Sequence, residues 1–483
     1  MGMETNAEKC QVLVIGAGPG GYLAAIRLAQ LKKDVLLVEK EAALGGVCLN
    51  VGCIPSKALI HASDFMTEAK QASRMGLRIE GVSVDMKGLV QWKDQIVKKL
   101  TDGVKFLVEK NGGRILHGTA RFVSDRRVSI RHDGGETTVD FENAIIATGS
   151  STKELRIMPF DGKRIIDSTD ALSLTEVPGK LVIIGAGYIG LEMGMVYRKL
   201  GSEVVLVETE NALLSQLDPE VGEILVRRLK EFGANLLLGH KAEAFEPGDP
   251  SMVVVRDPQG NKIKLAADKV LVTVGRTPNS RDIGLEKAGV AVDERGFIKV
   301  NHRMETSVAG ISAIGDVVGG PMLAHKAYRE AHVAAEVIAG EKAEFDNVVV
   351  PAAVYTDPEI AWAGLSEKEA RDKGLQVTIG KFPFRALGRA LTLNAPEGFI
   401  KTIADAKTCL IKGVIMVGRD VSDLISEAAL GLEMGATLED MHATIHPHPS
   451  LSEALVESVD AALGQAIHIM NVNKESGCGG PSA

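Results

Sequence analysis

Aromatic residues are scarce in this chain: they make up 4% of its 483 residues, and only two are tryptophan. Proteins that hold single-stranded nucleic acid stack its bases on aromatic side chains, so the composition argues against that function. Basic residues are not in excess either, because 55 Lys and Arg stand against 63 Asp and Glu. The formal charge is therefore −8, without the excess of positive charge that is typical of proteins that bind nucleic acid or an anionic membrane surface.

Long hydrophobic runs and cysteines are also few. The longest apolar run, Leu181–Leu191, is about half of the roughly twenty residues that a membrane-spanning helix needs. Five cysteines in a chain of this length are typical of a reducing compartment, where a disulfide is a working redox group. The polar residues Met1–Asn6 do not resemble a signal or transit peptide. We expect a cytoplasmic, bacterial-type protein without a membrane partner.

Glycine, by contrast, is abundant: 52 of 483 residues, roughly 11% against a usual share of roughly 7%. Part of this excess lies in an internal repeat, since Val12–Gly21 is similar to Leu181–Gly190. Each copy is an apolar, strand-like run followed by the pattern G-x-G-x-x-G. The glycines concerned are Gly16, Gly18, Gly21, Gly185, Gly187 and Gly190.

Each copy continues into a helical stretch and a second apolar run that ends in glutamate. Glu39 lies 23 residues after Gly16, and Glu208 lies 23 residues after Gly185. The glycines permit a tight turn, a close approach to pyrophosphate and close packing of helix on strand, while the acid accepts from ribose hydroxyls. Two complete units predict two bound dinucleotides. The alternative is two glycine-rich turns without a ligand.

The rest of the chain completes an α/β organisation. Residues 58–110 and 324–339 have helical periodicity, and Gly134 with Gly135 indicates a hairpin. We predict two Rossmann-like dinucleotide-binding domains and a C-terminal α+β domain. The predicted boundaries are 1–149 and 150–278 for the two domains, 279–350 for a segment that completes the first, 351–470 for the C-terminal domain and 471–483 for a tail.

Two cysteines follow the first dinucleotide unit closely. Cys48 and Cys53 are separated by four residues, and a helical stretch with Pro55 in its first turn follows Cys53. A helix N-terminus favours a thiolate, and Cys48 is near enough to form a small-ring disulfide with Cys53. The alternatives are two structural thiols or half of a zinc site, although zinc needs further ligands at short spacing.

A second constellation lies near the C-terminus, in His446-Pro447-His448-Pro449-Ser450 and the residues up to Glu453. A histidine with a carboxylate close by can act as an oriented general base. Ser450–Glu453 also matches a capping box, S-x-x-E. We expect that Glu453 cannot serve both roles at full strength. A metal pair of His446 and His448 is a further alternative, without an accompanying ligand pattern.

Two charged residues have two interpretations each. Lys57, four residues after Cys53, is either a solvated lysine or a cation near a flavin. Glu192, two residues after Gly190, is either an ordinary helix residue or the partner of Lys57.

Five motifs together resemble the dihydrolipoyl dehydrogenase family of flavoprotein disulfide oxidoreductases, in order and with the family's spacing from about residue 10 to about residue 465. They are GGVCLNVGCIPSK (45–57), GAGYIGLE (185–192), VGRTPN (274–279), AIGD (313–316) and HPHPSLSE (446–453).

The resemblance implies roles for these residues. Cys53 matches the charge-transfer thiol, Cys48 the interchange thiol, and His448 a base that reaches the partner subunit's disulfide. Glu453 would orient this histidine. The positions that match FAD contacts are Gly16, Gly18, Gly21, Glu39, Lys57, Ala120, Gly149, Asp316 and Ala324. Those that match NAD contacts are Gly185, Gly187, Gly190, Glu208, Ala242 and Gly275. The match at Ala242 is the loosest.

The implied activity is oxidation of protein-bound dihydrolipoamide by NAD⁺ through FAD, in a homodimer with a C-terminal dimerisation domain. The implied partners are the lipoyl domains of 2-oxoacid dehydrogenase complexes or the H protein of glycine cleavage. Glutathione reductase is disfavoured because Glu208 and Glu210 would repel the 2′-phosphate of NADPH. Mercuric reductase would need a C-terminal cysteine pair, where this chain has Cys478 alone. A flavin transhydrogenase and a non-catalytic FAD-binding scaffold are disfavoured by the intact cysteine and histidine positions.

Overall fold

A computed structural model describes residues 7–471, so Met1–Asn6, Cys478 and most of the predicted tail lie outside the described residues. The chain divides into two compact units. The first contains the residues up to 162, 166–177 and 274–346, and the second contains 163–165, 178–273 and the residues from 347 on.

The β-strands are numbered in chain order. They are β1 (Glu8–Ile15), β2 (Val35–Glu39), β3 (Arg114–His117), β4 (Thr119–Ser124), β5 (Arg127–His132), β6 (Gly135–Ile146), β7 (Ser150–Thr152), β8 (Ile165–Ile166), β9 (Lys180–Ile184), β10 (Glu203–Val207), β11 (Asn235–Leu237), β12 (Lys241–Glu246), β13 (Ser251–Arg256), β14 (Lys262–Ala267), β15 (Lys269–Val272), β16 (Arg276–Pro278), β17 (Ile311–Ala313), β18 (Ala352–Val354), β19 (Glu359–Gly364), β20 (Val377–Pro383), β21 (Phe399–Asp405) and β22 (Ile411–Gly418).

The α-helices are numbered in the same way. They are α1 (Pro19–Gln30), α2 (Gly46–Val51), α3 (Cys53–Gln71), α4 (Met86–Lys110), α5 (Ser168–Ala171), α6 (Tyr188–Leu200), α7 (Pro219–Glu231), α8 (Leu285–Ala288), α9 (Ala324–Ala339), α10 (Glu367–Asp372), α11 (Gly388–Thr392), α12 (Val421–Glu433), α13 (Leu438–His442) and α14 (Glu453–Leu463).

The first unit is built on a sheet in the order β3-β2-β1-β6-β5-β4, with β17 also paired to β6. The pairs β2–β3, β1–β2, β1–β6 and β6–β17 are parallel. Alternate residues of β1 face opposite sides, so Val12 packs in one apolar cluster and Leu13 in another. Both faces are covered, which explains the nearly unbroken apolar sequence of β1 and β2. The predicted hairpin is confirmed by the antiparallel pairing of β5 with β6.

The second unit contains the second repeat in a parallel sheet with the strand order β11-β10-β9-β15. The next three strands along the chain form an antiparallel sheet in the order β12-β13-β14. The C-terminal part forms an antiparallel sheet in the order β18-β19-β22-β21-β20, whose apolar residues pack with those of α12 and α14. These elements confirm the predicted fold class of two dinucleotide-binding folds and a C-terminal α+β domain.

The structure contains no helix within residues 7–471 that is both long and apolar enough to span a membrane.

Candidate functional site

The first glycine loop joins β1 to α1. Gly16 has φ +98°, and a Cβ there would lie 2.4 Å from the carbonyl oxygen of Ala147. A Cβ at Gly21 would lie 1.8 Å from the carbonyl oxygen of Gly16. At Gly18, where φ is −66°, a Cβ would approach only the Cα of Gly46, at 4.0 Å. Chain packing thus requires the first and third glycines, whereas the second keeps space open at the start of α1.

The second loop, between β9 and α6, repeats this division. Gly185 has φ +97°, and a Cβ at Gly190 would lie 2.1 Å from the carbonyl oxygen of Gly185. A Cβ at Gly187 would meet no atom of the described residues within 4 Å. Both loops therefore fit the pyrophosphate of a dinucleotide, held at a helix N-terminus by backbone N–H groups.

The acids that close the two repeats anchor their own glycine loops. Glu39 accepts from the backbone N–H of Ala17 at 2.7 Å, and Glu208 accepts from that of Ala186 at 2.8 Å. The second oxygen of each carboxylate accepts from the backbone N–H two residues further on, at 3.0 Å. A carboxylate has about four acceptor positions, so both can still accept from a ribose. That ribose contact stays a prediction.

The cysteine loop packs directly on the first glycine loop. The backbone N–H of Gly45 donates to the carbonyl of Ala17 at 2.8 Å. A Cβ at Gly46 would lie 2.6 Å from the Cα of Gly18, so only glycine permits this approach. The side chain of Asn50 donates to two carbonyls of the same loop, at 3.0 and 2.9 Å. The loop is thereby held beside the space that Gly18 keeps open.

The two cysteines lie on consecutive helices. Cys48 is in α2 and is half-buried, whereas α3 begins at the exposed Cys53, which confirms the predicted placement at a helix N-terminus. Both are thiols joined by a side-chain hydrogen bond. This bond and burial raise the pKa of Cys48, although the charge of Lys57 opposes them. Cys53 is the cysteine at the start of α3, where the helix N-terminus favours a thiolate.

A tyrosine pair that the sequence analysis missed lies near these thiols. The hydroxyls of Tyr22 on α1 and Tyr328 on α9 are 3.1 Å apart. Burial raises the pKa of Tyr22, and the hydrogen bond to Tyr328 and the charge of Cys48 raise it further. Burial also raises the pKa of Tyr328, and the charges of both cysteines add to this effect against the opposing bond to Tyr22. Both phenols stay neutral beside the dithiol.

The FAD positions implied by the resemblance follow the parallel strands of the first unit. The loops after β1, β6 and β17 lie at the carboxyl ends of neighbouring strands, where open α/β sheets bind ligands. Gly149 has φ +70° and open space at its Cβ position, and the hydroxyl of Ser150 donates to Asp316. Ala324 is the first residue of α9. The side chain of Ala120 is buried in the core, so a contact there would use its backbone.

The remaining dinucleotide positions are less distinctive. Gly275 has φ +111° and open space at its Cβ position. Ala242 lies in β12 with its side chain buried. Glu192 is buried in α6, where its carboxylate accepts from the backbone N–H of Tyr355 at 3.0 Å. The predicted pairing of Glu192 with Lys57 stays a prediction.

The two histidines of the C-terminal motif lie in different environments. The Nδ1 of His448 donates to Glu453 at 2.8 Å, and the imidazole side chain is 79% exposed, which leaves Nε2 for a substrate proton. The side chain of His446 is 4% exposed, and both of its nitrogens are hydrogen-bonded, Nε2 with Glu427 at 2.8 Å and Nδ1 with the carbonyl of Thr444 at 2.9 Å. These two bonds occupy both ring nitrogens of His446, which argues against a metal pair with His448. The described part of the chain also contains no group of three or more possible metal ligands.

Glu453 serves two partners through two oxygens. Oε1 accepts from His448, and Oε2 accepts from the backbone N–H of Ser450 at 2.7 Å. Burial alone would raise the pKa of Glu453, but these two bonds, together with the charges of His448 and His468, outweigh it and lower the pKa. The expected competition between orienting and capping is wrong, because α14 begins at Glu453 rather than near Ser450. Of the two hydrogen bonds of a capping box, only the one from the Ser450 backbone N–H to the Glu453 carboxylate forms.

Family comparison agrees with this geometry over most of the chain. Residues 10–331 match the model of pyridine nucleotide-disulphide oxidoreductases, and residues 350–459 match the dimerisation domain of the same group.

Curated relatives cover nearly the whole chain. A dihydrolipoyl dehydrogenase from Thermus scotoductus is 50% identical over 463 residues, which are 95% of this chain and 99% of the relative. One from Geobacillus stearothermophilus is 46% identical, with 96% and 98% covered.

Solved structures give the same picture. The HOCl-induced flavoprotein disulfide reductase RclA from Escherichia coli has a TM-score of 0.83 at 28% identity, with 93% and 99% covered. LpdA from Mycobacterium tuberculosis shares the fold, with a TM-score of 0.86 at 24% identity and the same coverage.

Proposed function

This chain belongs to the pyridine nucleotide-disulphide oxidoreductase family, and we propose that it oxidises protein-bound dihydrolipoyl groups with NAD⁺. It is a disulfide oxidoreductase enzyme whose cofactors are FAD and NAD. The observation that carries the proposed activity is the Cys48–Cys53 dithiol, which packs on the first glycine loop at the start of α3.

The reaction begins with proton transfer to His448. Its Nε2 takes the proton of one substrate thiol, and the resulting thiolate attacks Cys48 of the Cys48–Cys53 disulfide. That disulfide bond breaks, and Cys53 leaves as a thiolate, which the N-terminus of α3 favours. The second substrate thiol, on losing its proton, then attacks the substrate sulfur bound to Cys48. The cyclic lipoyl disulfide is released, Cys48 takes up a proton, and two electrons remain on the enzyme dithiol.

The residues that would hold the cofactors follow from the two glycine loops. FAD would lie at the loop of Gly16, Gly18 and Gly21, with Asp316 and the start of α9, and NAD at the second loop with Glu208. When bound, FAD would supply the two-electron redox chemistry that links this dithiol to NAD⁺. The protein supplies position and electrostatics for that transfer.

We propose that the chain acts as a homodimer in which His448 serves the partner subunit's disulfide. The dimerisation-domain match supports the homodimer, and a two-fold assembly would create two identical sites. The substrate would be a lipoyl group on a carrier: an acyltransferase lipoyl domain or the glycine-cleavage H protein.

A direct assay tests the activity. Purified holoenzyme should reduce NAD⁺ with dihydrolipoamide and with a dihydrolipoylated carrier domain. It should turn over NADPH with oxidised glutathione or mercuric ion at background rates. Turnover with one of these two pairs and none with dihydrolipoamide would contradict the proposal.

Nucleotide choice depends on the charge of Glu208. We expect kcat/KM to favour NAD⁺ over NADP⁺ roughly a hundredfold, because a carboxylate beside the 2′-phosphate costs about 2.7 kcal/mol. Glu208→Gln should reduce this preference, since the amide oxygen can still accept from Ala186 but carries no charge. Steady-state kinetics with both nucleotides measure the ratio. Equal kcat/KM values in the wild type would reject this role.

The orientation of His448 depends on Glu453. The amide of glutamine has one oxygen, so it cannot accept from both His448 and Ser450. Glu453→Gln should therefore lower kcat about tenfold. This loss is a part of the rate enhancement of roughly 10²–10⁴-fold that a positioned general base supplies. Glu457→Gln is the matched control, because Glu457 lies one turn further along α14 and bonds His468 through the same ring nitrogen. Equal losses in the two variants would show that Glu453 only stabilises the helix.

A further inference from the structure

The turn that carries Asp316 is held from two sides by buried polar groups. On one side, the hydroxyl of Ser150 donates to the Asp316 carboxylate. Arg276 donates to this hydroxyl and to the Ser150 carbonyl, both at 2.6 Å. On the other side, the backbone N–H of Gly315 donates to Glu330 at 2.7 Å.

Glu330 is an unusual residue for a helix interior. Its side chain is 3% exposed, and its second oxygen forms an ion pair at 2.5 Å with Lys326, whose side chain is 8% exposed. Burying two charges costs free energy that their attraction often does not recover. A buried leucine on α9 would satisfy packing at lower cost, so stability alone does not explain the pair. What the carboxylate adds is a strong acceptor for the N–H of Gly315.

The position of Glu330 connects two elements that the proposed FAD site uses. Lys326 and Glu330 lie in the first two turns of α9, which begins at Ala324. Gly315 has φ +79° and immediately precedes Asp316. The bond from Gly315 to Glu330 therefore fixes the distance between the N-terminus of α9 and the Asp316 turn.

Building on the proposed FAD site, we infer that Glu330, paired with Lys326, is a positioning residue for FAD. It acts through the Gly315–Asp316 turn and the start of α9, without touching the cofactor. Removing its carboxylate frees the turn on one side, while Ser150 still holds the other. FAD should then bind in a less defined position and dissociate faster.

The experiment compares Glu330→Leu, Glu330→Gln and wild-type holoenzyme. Two readouts are independent of turnover: the rate at which FAD is released into an excess of an apoprotein that binds FAD tightly, and the visible circular dichroism of the bound flavin. Glu330→Leu should release FAD at least about tenfold faster, the effect of losing one buried charge-assisted bond, and should change the dichroism. Glu330→Gln should be intermediate, because its amide oxygen can accept from Gly315.

Glu336→Gln is the matched control. Glu336 is on the same helix and accepts from Arg27 at 3.0 Å, away from the Asp316 turn. It should release FAD at the wild-type rate. If Glu330→Leu releases FAD no faster than this control and keeps the wild-type dichroism, the inference is wrong.

The double variant Lys326→Met/Glu330→Leu separates positioning from charge balance and serves if Glu330→Leu does not fold. It removes both charges, so thermal stability should recover while FAD release stays fast. Wild-type FAD release in the double variant would show that the pair only balances charge and would overturn the inference. A wild-type protein that retains no FAD would instead contradict the FAD site on which the inference rests.

Discussion

Cys53→Ser protein, reduced by two electrons, will lack the long-wavelength absorption band of a thiolate beside oxidised flavin and will have no measurable lipoyl turnover. The band requires a thiolate next to the flavin, and α3 begins at Cys53, where the helix dipole favours that charge. Turnover requires a disulfide, which one cysteine cannot form. Anaerobic titration followed by absorption spectroscopy measures the band, and the dihydrolipoamide assay measures turnover.

Cys48→Ser should show the long-wavelength band that Cys53→Ser lacks, and it should likewise have no measurable lipoyl turnover. Cys53 would remain as a thiolate without any reduction, so the band should be present in the untreated protein. The matched control is Cys10→Ser, because burial raises the pKa of the Cys10 thiol to about 12 and keeps it out of redox chemistry. A band that survives Cys53→Ser and disappears in Cys48→Ser would mean that the two thiols are assigned in reverse.

The sequence predicted those parts of the fold whose signals are local. The two glycine repeats gave the strand–loop–helix units, because apolar runs, glycine spacing and the closing acid all lie within about thirty residues. The observed α9 covers 324–339, as its periodicity predicted. The start of α3 at Cys53 was equally readable, because Gly52 and Pro55 mark a helix beginning.

Contacts between distant residues were not predictable in the same way. Tyr22 and Tyr328 are 306 residues apart, and neither has a neighbouring motif that indicates the other. Their meeting depends on α1 packing with α9 in one apolar cluster, which requires the whole sheet. Glu330 had one local signal, a lysine four residues earlier on an otherwise apolar helix face. Exposed Lys–Glu pairs on helices have the same four-residue spacing, so the sequence does not show whether such a pair is buried.

The two roles of Glu453 show a different limit. Sequence spacing identified both partners correctly, and the error lay in treating the carboxylate as one acceptor. The structure assigns one oxygen to His448 and the other to Ser450, because α14 begins at Glu453 itself. The direction of each oxygen depends on where the helix starts, and a capping-box pattern places that start two residues too early.

The shared site predicts that two inactive proteins will restore each other. Cys53→Ser and His448→Gln proteins should each have almost no turnover, since one lacks the leaving thiolate and the other the base. When equal amounts are unfolded and refolded together with FAD, random pairing should make about half of the dimers mixed. Each mixed dimer holds one site with intact Cys53 and His448 from opposite chains, so activity should return to about a quarter of wild type.

The same mixture discriminates against a site contained within one chain. If His448 served the disulfide of its own chain, each subunit of a mixed dimer would carry one defect in its own site, and activity would not return. Native mass spectrometry must confirm the mixed dimers, and flavin absorbance must confirm that FAD is retained. His448 lies 395 residues after Cys53, within residues 350–459, which match a dimerisation domain. Recovery near a quarter therefore establishes the crossed arrangement, and no recovery in confirmed mixed dimers rejects it.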